Sequence, residues 1–314
     1  MRKKKVLVTG AAGFIGSHLV DELVRLKYDV VGLDNFATGK KENLNRQIKF
    51  YRVDITQLAR IKKLFKEVNT VFHTAALARI QPSIRDPQQT FETNALGTLN
   101  VLLAARAAGV RRVVYSASSS IYGDQSKLPL TEEMVPHPKS MYALSKLIGE
   151  EMCRIFSQLY GLETVALRYF NVYGPRQITQ GAYSTVIGIF LDQLAKGQPL
   201  TITGTGLIRR DFTYITDVVA ANMKAMQVKR AFHGEVFNIG SGHNYNINEV
   251  AAMILRIPPR HWRTATKQGR VTYLPPRPAE SKVTLADIAK AKKLLGWRPE
   301  VTFEQGLKEL FSQT

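Results

Sequence analysis

Apolar residues in the first two-thirds of the chain fall into short runs separated by longer amphipathic stretches. That alternation is expected of βαβ units around a parallel sheet. Lys5–Thr9 reads as the first strand, and Phe14 to Lys27 as a helix with Ile15, Leu19, Leu23 and Leu26 on one face. Asp29 to Asp34 is the second strand; further strands are expected at Ile48–Val53, Thr70–Thr74, Arg111–Ser116 and Thr164–Tyr169. Long helices are expected over Pro87–Ala108 and Ser140–Tyr160. Runs such as Val6-Leu7-Val8 and Val113-Val114-Tyr115 are continuously apolar, which predicts a sheet covered on both faces.

Past about Asn171 the regularity breaks. Gly and Pro become frequent, and helices expected near Tyr183–Lys196, Asn246–Leu255 and Asp287–Leu295 are separated by irregular connections. The pattern divides the chain into a sheet-forming part over residues 1–171 and a smaller lobe made mainly by 172–314. A later return of the chain to the sheet stays open. There is no internal repeat and no low-complexity segment.

The composition, with 45% hydrophobic and 22% charged residues in 314, is that of an ordinary globular protein large enough for a substantial core. Cys153 is alone, which excludes an internal disulfide and a cysteine-built cluster; no metal site is expected. The start Met1-Arg2-Lys3-Lys4-Lys5 has the charge of a signal peptide, but Thr9-Gly10 interrupts the apolar run after three residues. No stretch approaches the roughly 20 apolar residues of a membrane span. A soluble cytoplasmic protein without membrane partners is the expectation.

The net charge of +19 admits three partners: nucleic acid, an anionic metabolite, or simply water on a basic surface. Between Arg256 and Arg298 stand eleven Lys/Arg and two acids, Glu280 and Asp287. No zinc-finger spacing, RNA-binding signature or heptad run accompanies them, so nucleic acid is the weakest of the three.

Between the first strand and first helix lies Gly10-Ala11-Ala12-Gly13-Phe14-Ile15-Gly16. Small residues there let the backbone turn tightly beneath a pyrophosphate, whose charge meets the helix N-terminus. The spacing is GxxGxxG, a weak pattern by itself; the strand, the helix and the acid Asp34 give it context. Asp34 ends the second strand 18 residues after Gly16, where a carboxylate accepts from a ribose 2′-hydroxyl and repels a 2′-phosphate. The cofactor expected is therefore NAD rather than NADP. Asp54 ends another strand, and reads either as a contact to the adenine edge or as an ordinary strand-end acid.

Tyr142-Ala143-Leu144-Ser145-Lys146 places a phenol and an ammonium four residues apart on one helix face. A nearby cation and the positive nicotinamide favour the phenolate, making Tyr142 a base for a sugar hydroxyl as hydride leaves the same carbon. Tyr115-Ser116-Ala117-Ser118-Ser119-Ser120-Ile121-Tyr122-Gly123 follows a predicted strand at the sheet edge where ligands bind. Ser118 is there to relay the proton; by itself such a loop reads as a Ser-rich cap on a sheet.

Together these elements resemble the extended short-chain dehydrogenase/reductase superfamily, and within it nucleotide-sugar 4-epimerases of the UDP-galactose 4-epimerase type. The resemblance runs nearly end to end. It includes Asp34-Asn35, Asp54-Ile55, His73-Thr74-Ala75-Ala76, Asn94-Ala95-Leu96-Gly97-Thr98, Leu167 through Pro175, Arg210-Asp211 and Ala286-Asp287-Ile288. It implies a Rossmann-type doubly wound α/β parallel sheet with a smaller C-terminal substrate-binding lobe. It also implies that Asn35, Ile55, Ala75, Asn94, Ser116 and Tyr169 join Gly10, Gly13, Phe14, Ile15, Gly16, Asp34, Asp54, Tyr142 and Lys146 around NAD. Ser118, Tyr142 and Lys146 are its implied catalytic set. Ser118, Ser119 and Tyr142 would face the sugar, and Asn171, Arg210 and Arg277 the nucleotide diphosphate. The implied reaction oxidises sugar C4, turns the 4-ketone over and returns hydride to its other face. A homodimer through helices near 90–108 and 142–160 is implied as well.

Neighbouring branches differ in chemistry. The 4,6-dehydratases need an acid pair where this chain has Ser118-Ser119-Ser120; UDP-glucuronate decarboxylases carry an acid where Ser120 stands; reductases use NADP, which Asp34 opposes. Two positions depart from the pattern. Arg277-Pro278-Ala279-Glu280 replaces Arg-Pro-Gly-Asp, and Thr284 stands where galactose-restricted members carry tyrosine. The smaller Thr284 leaves room for a 2-acetamido group, so N-acetylhexosamine forms of a UDP-hexose are admitted beside UDP-glucose and UDP-galactose. The alternatives are another NAD-dependent nucleotide-sugar epimerase or dehydratase, and a silent dinucleotide-sensing protein on the same fold.

Overall fold

The computed structural model describes residues 4–312. Its centre is a seven-stranded sheet in which every neighbouring pair is parallel. The strands are β1 (Lys5–Thr9), β2 (Asp29–Asp34), β3 (Lys49–Arg52), β4 (Thr70–His73), β5 (Arg112–Ser118), β6 (Glu163–Tyr169) and β7 (His233–Ile239). They lie in the order β7-β6-β5-β4-β1-β2-β3. The chain runs outward in both directions from the β1/β4 boundary, and a crevice opens there beyond the strand ends.

Alternate residues of the inner strands feed two cores. Val8, Val114, Leu167 and Phe237 join the helix residues Leu19 and Val218 on one side. Leu7, Val71, Val113 and Ala166 join Leu102 and Phe156 on the other. Both faces are dry, which explains the unbroken apolar runs. Helices α1 (Phe14–Arg25), α2 (Gly97–Ala107) and α3 (Met141–Tyr160) are the expected ones with altered ends. Helix α1 stops short because Lys27 adopts φ 62°. The single helix expected over Pro87–Ala108 is instead Pro87–Phe91, a π-helical turn Glu92–Leu96 and then α2. Ser140 caps α3 by accepting from the Ala143 amide at 3.2 Å, and Gly161 (φ 66°) ends it.

Beyond Asn171 the chain does return to the sheet. Helix α5 (Ile215–Gln227) packs against α1, and β7 pairs with β6. Neither element was among those expected. The remaining lobe holds α4 (Val186–Ala195) and α6 (Ile247–Leu255), while α7 (Ala289–Leu295) packs back on β7 and α5; all three are shorter than their expected spans. Asn246 and Glu249 form a reciprocal cap at the start of α6. Three two-stranded pairs complete the lobe: Leu200–Thr203 with Val271–Leu274, Arg209–Asp211 with Asn244–Asn246, and Val172–Tyr173 with Thr213–Tyr214.

Arg112 joins the sheet to this returning segment. Its guanidinium donates to the carbonyls of Ala225, Met226, Val228 and Arg230 and pairs with Glu163 at 2.7 Å. Burial pulls its pKa down and Glu163 opposes that shift. Arg112→Met leaves the four carbonyls unmatched and Glu163 with only Arg111 at 3.7 Å, and is expected to lower unfolding free energy by about 3 kcal/mol. Urea unfolding measures this, with activity per folded molecule unchanged.

Candidate active site

The first turn of α1 carries unpaired amides, because the first N–H groups of a helix have no carbonyl behind them. Gly13, Phe14, Ile15 and Gly16 present that turn to a cleft of about 490 Å³. Gly10 has φ +71°, and a Cβ on it would stand 2.8 Å from the Ala75 nitrogen. A Cβ on Gly16 would stand 2.0 Å from the Gly10 carbonyl oxygen. Only bare backbone permits this turn, and it leaves space for a pyrophosphate over the helix end.

Asp34 lies 22 residues beyond Ala12, whose amide donates to Oδ2 at 2.9 Å, while the Phe36 amide donates to Oδ1 at 2.7 Å. Burial raises the carboxyl pKa and these amides hold it back. The carboxylate is thereby fixed at the cleft wall with lone pairs left for a ribose. Asp54 accepts from the Asn35 side-chain Nδ2 at 2.7 Å and from the Thr56 backbone amide and hydroxyl at 2.8 and 2.7 Å. Partial burial raises its pKa, but those donors outweigh it and the net shift is down. Asn35, Asp54, Ile55 and Ala75 all line the cleft, as does Tyr169.

The cleft continues to the end of β5. Ser118 accepts from the Ser120 amide at 3.2 Å and shares a 2.9 Å hydrogen bond with the Ser120 hydroxyl. It lines the cleft together with Tyr142 in the first turn of α3, whose phenol pKa it lowers. The helix approaches β5 closely at Gly149, where a Cβ would sit 2.1 Å from the Tyr115 hydroxyl. That contact sets the height of Tyr142 over the strand ends.

The electrostatics differ from the expectation drawn from the Tyr/Lys spacing. Burial raises the Tyr142 pKa; the Ser118 hydrogen bond and the charge of Arg79 lower it, and burial wins. Lys146 is engaged by the strand end. Its ammonium donates to the Ser116 carbonyl at 2.9 Å and lies 5.1 Å from the Tyr115 ring centre. Burial brings its pKa down to about 8, with Glu150 opposing. Asn94, Ser116 and Lys146 stand behind the cleft wall rather than on it. Asn94 bonds the amide and carbonyl of Leu77 and the Ser145 hydroxyl. Ser116 bonds the Tyr169 phenol at 3.1 Å.

On the lobe side, Asn171 (φ 31°) donates to the Asp211 carbonyl at 2.8 Å and to Thr284 at 3.3 Å. Thr284 also accepts from the Asp211 amide. Asp211 is itself held by Ser241, Gly242 and Ala286. Arg210 is largely buried, 3.8 Å from Glu280, and burial lowers its pKa. Arg277 is exposed at the cleft rim, and Ser119 lies beside Ser118 on the wall. Sequence reasoning missed Arg79 and the Arg210–Glu280 pair. A lone cation in the otherwise apolar stretch Leu77-Ala78-Arg79-Ile80, just past a strand end, was the available signal. Among the described residues there is no cluster fit for a metal, and no helix long and apolar enough to cross a membrane.

A hydroxyl-bearing carbon placed against Tyr142 and Ser118 would lie at the same sheet edge as a dinucleotide held by the α1 turn. That arrangement defines a dinucleotide-dependent α/β enzyme of the short-chain dehydrogenase/reductase type. The model for the NAD dependent epimerase/dehydratase family matches residues 6–240, and the chain belongs to that family. A UDP-glucose 4-epimerase of Mycolicibacterium smegmatis is 35% identical over 311 residues, covering 96% of both chains. Among solved structures, UDP-glucose 4-epimerase of Thermotoga maritima with UDP-glucose superposes with a TM-score of 0.90 at 37% identity, covering 97% of this chain and 96% of that one. UDP-N-acetylglucosamine 4-epimerase of Methanobrevibacter ruminantium, in complex with UDP-N-acetylmuramic acid, gives 0.88 at 33% identity, covering all of both chains. NAD is the cofactor, and epimerisation, an isomerase reaction, is the class of chemistry.

Asp34→Ala is expected to weaken NAD binding about tenfold or more and to narrow the preference over NADP. Fluorescence titration with both cofactors measures it; unchanged affinities would remove Asp34 from the site.

Proposed function

We propose that the protein is an NAD-dependent 4-epimerase of UDP-hexoses that interconverts UDP-glucose and UDP-galactose and admits their N-acetyl forms. The observation carrying this reading is that Ser118 and Tyr142 line one cleft with the glycine cradle, with no carboxylate in the Ser118-Ser119-Ser120 segment. Bound NAD supplies a hydride acceptor that gives the hydride back, so the reaction has no net redox change. Tyr142 takes the proton of the sugar 4-hydroxyl, with Ser118 relaying it, and returns a proton to the 4-oxygen after the keto sugar has turned over. Lys146 braces the strand end through the Ser116 carbonyl. Asn171, Arg210 and Arg277 hold the nucleotide diphosphate, for which guanidinium forks suit the paired oxygens. During this turnover the diphosphate stays anchored while the hexose rotates.

Thr284 decides the sugar range. Its hydroxyl is committed to Asn171 and the Asp211 amide, so it presents a small side chain that would leave room for a 2-acetamido group. We also place the protein in the cytoplasm as a homodimer. Leu144, Ile155 and Leu159 form an exposed apolar stripe on α3, and Phe91 and Leu96 add to it from the neighbouring helical segment. Sedimentation should give twice the chain mass.

The deciding experiment incubates the protein separately with UDP-galactose and UDP-N-acetylgalactosamine and follows the C4 epimers by proton NMR without added reductant. Interconversion of both is expected, and Tyr142→Phe should abolish it while NAD stays bound. No conversion by folded, NAD-loaded protein would overturn the reading.

A further inference from the structure

After the strand Val271–Leu274 the chain lines the cleft with Arg277, Ala279, Glu280 and Ser281, then rejoins the lobe beside Arg209. Main-chain bonds fix both ends of this strap. The Gly204 amide donates to the Leu274 carbonyl at 2.8 Å, and the Arg209 amide to the Lys282 carbonyl at 3.0 Å. Among the described residues, no main-chain group from Pro275 to Ser281 bonds another main-chain group. Yet Ala279 is held at φ 61°, a left-handed value that a residue with a Cβ keeps only when its surroundings impose it.

The holding contacts come from the opposite wall. Gln81, beyond β4, donates from Nε2 to the Pro278 carbonyl at 3.0 Å. Lys139 and Asp124 bracket Ser281. The Lys139 ammonium donates to the Glu280 carbonyl at 3.2 Å, and Asp124 accepts from the Lys282 amide at 2.7 Å. The two side chains also pair with each other at 2.7 Å, which closes the bracket. Asp124 lies just past the turn Ser119–Tyr122 that follows β5, and Lys139 precedes Ser140, the cap of α3. The strap is thereby tied across the cleft to the elements that carry Ser118 and Tyr142. Lys139 and Asp124 are 37% and 40% exposed, so water competes for them and the bracket opens without unfolding either wall.

We propose that Lys139 and Asp124 are positioning residues for the nucleotide, a clip that holds the strap closed over it and opens for exchange. This rests on the UDP-hexose reading, in which Arg210 and Arg277 hold the diphosphate. Arg277 rides on the strap itself, and Glu280 lies beneath it, 3.8 Å from Arg210. Removing either side chain of the clip takes nothing from the glycine turn, Ser118 or Tyr142. The change therefore falls on how fast the nucleotide departs.

The test uses NAD-loaded wild type, Lys139→Met, Asp124→Ala, the double variant and Lys139→Arg. UDP is the probe, its dissociation followed by stopped-flow displacement with a fluorescent UDP analogue. Values of kcat and KM for the UDP-hexose are measured alongside. Lys139→Met and Asp124→Ala should each release UDP about tenfold faster, with KM raised more than kcat is lowered. The double variant should release it about as fast as the single ones, because the two side chains act as one clip. Lys139→Arg should keep most of the slow release. Wild-type release rates in both single variants, or a loss confined to kcat, would overturn the proposal. Clip-dependent UDP release in a wild type that turns over no UDP-hexose would overturn the epimerase reading alone.

Discussion

The close packing of α3 on β5 is the constraint on which the site depends. With hydrogen as its side chain, Gly149 lets the helix settle against the Tyr115 ring. Lys146, one turn earlier, then reaches the Ser116 carbonyl, and Tyr142, another turn earlier, faces the same cleft as Ser118 at the strand end. A side chain at position 149 would push the helix outward, separating Tyr142 from Ser118 without touching either. The parallel sheet supplies the other half of this arrangement. Because β1 and β4 feed helices on opposite faces, the α1 turn and the β5 terminus border one crevice, and a single ligand set can lie along it.

Burial opposes charge throughout this crevice, and the fold answers with specific partners rather than with water. Asp34 is held by two amides, Asp211 by three backbone amides and the Ser241 hydroxyl, and Glu150 by Arg168. His73 sits between the Thr9 and Thr98 hydroxyls, its pKa lowered to about 3 by burial and Lys146, so it contributes hydrogen bonds and no charge. Arg79 and Tyr142 line the same cleft.

Much of the sheet was legible because its strands are apolar on both faces, as Val6-Leu7-Val8 and Val113-Val114-Tyr115 show. Strand β7 was not, since His233-Gly234-Glu235 opens it and only pairing with the distant β6 makes it a strand. Strand β5 runs on to Ser118 because Ser116 to Ser118 pair with Leu167 to Tyr169, although hydroxyl residues read as loop. The break near Asn94 was hidden because a π-turn changes hydrogen bonding without changing the helical pattern. That Gly10, Gly13, Gly16, Asp34, Ser118 and Tyr142 would share one strand-end cleft was readable from type and spacing. The reach of Lys146 was not, because sequence gives the helix face but not the carbonyl that a flexible ammonium finds.

The central claim is that hydride leaves and returns to C4 of one bound hexose. The most direct measurement supplies UDP-glucose deuterated at C4 and examines the UDP-galactose formed by mass spectrometry and NMR. Deuterium fully retained at C4 is the predicted result. Loss of the label to solvent, its transfer to C6, or a 4-keto-6-deoxy product would contradict the account.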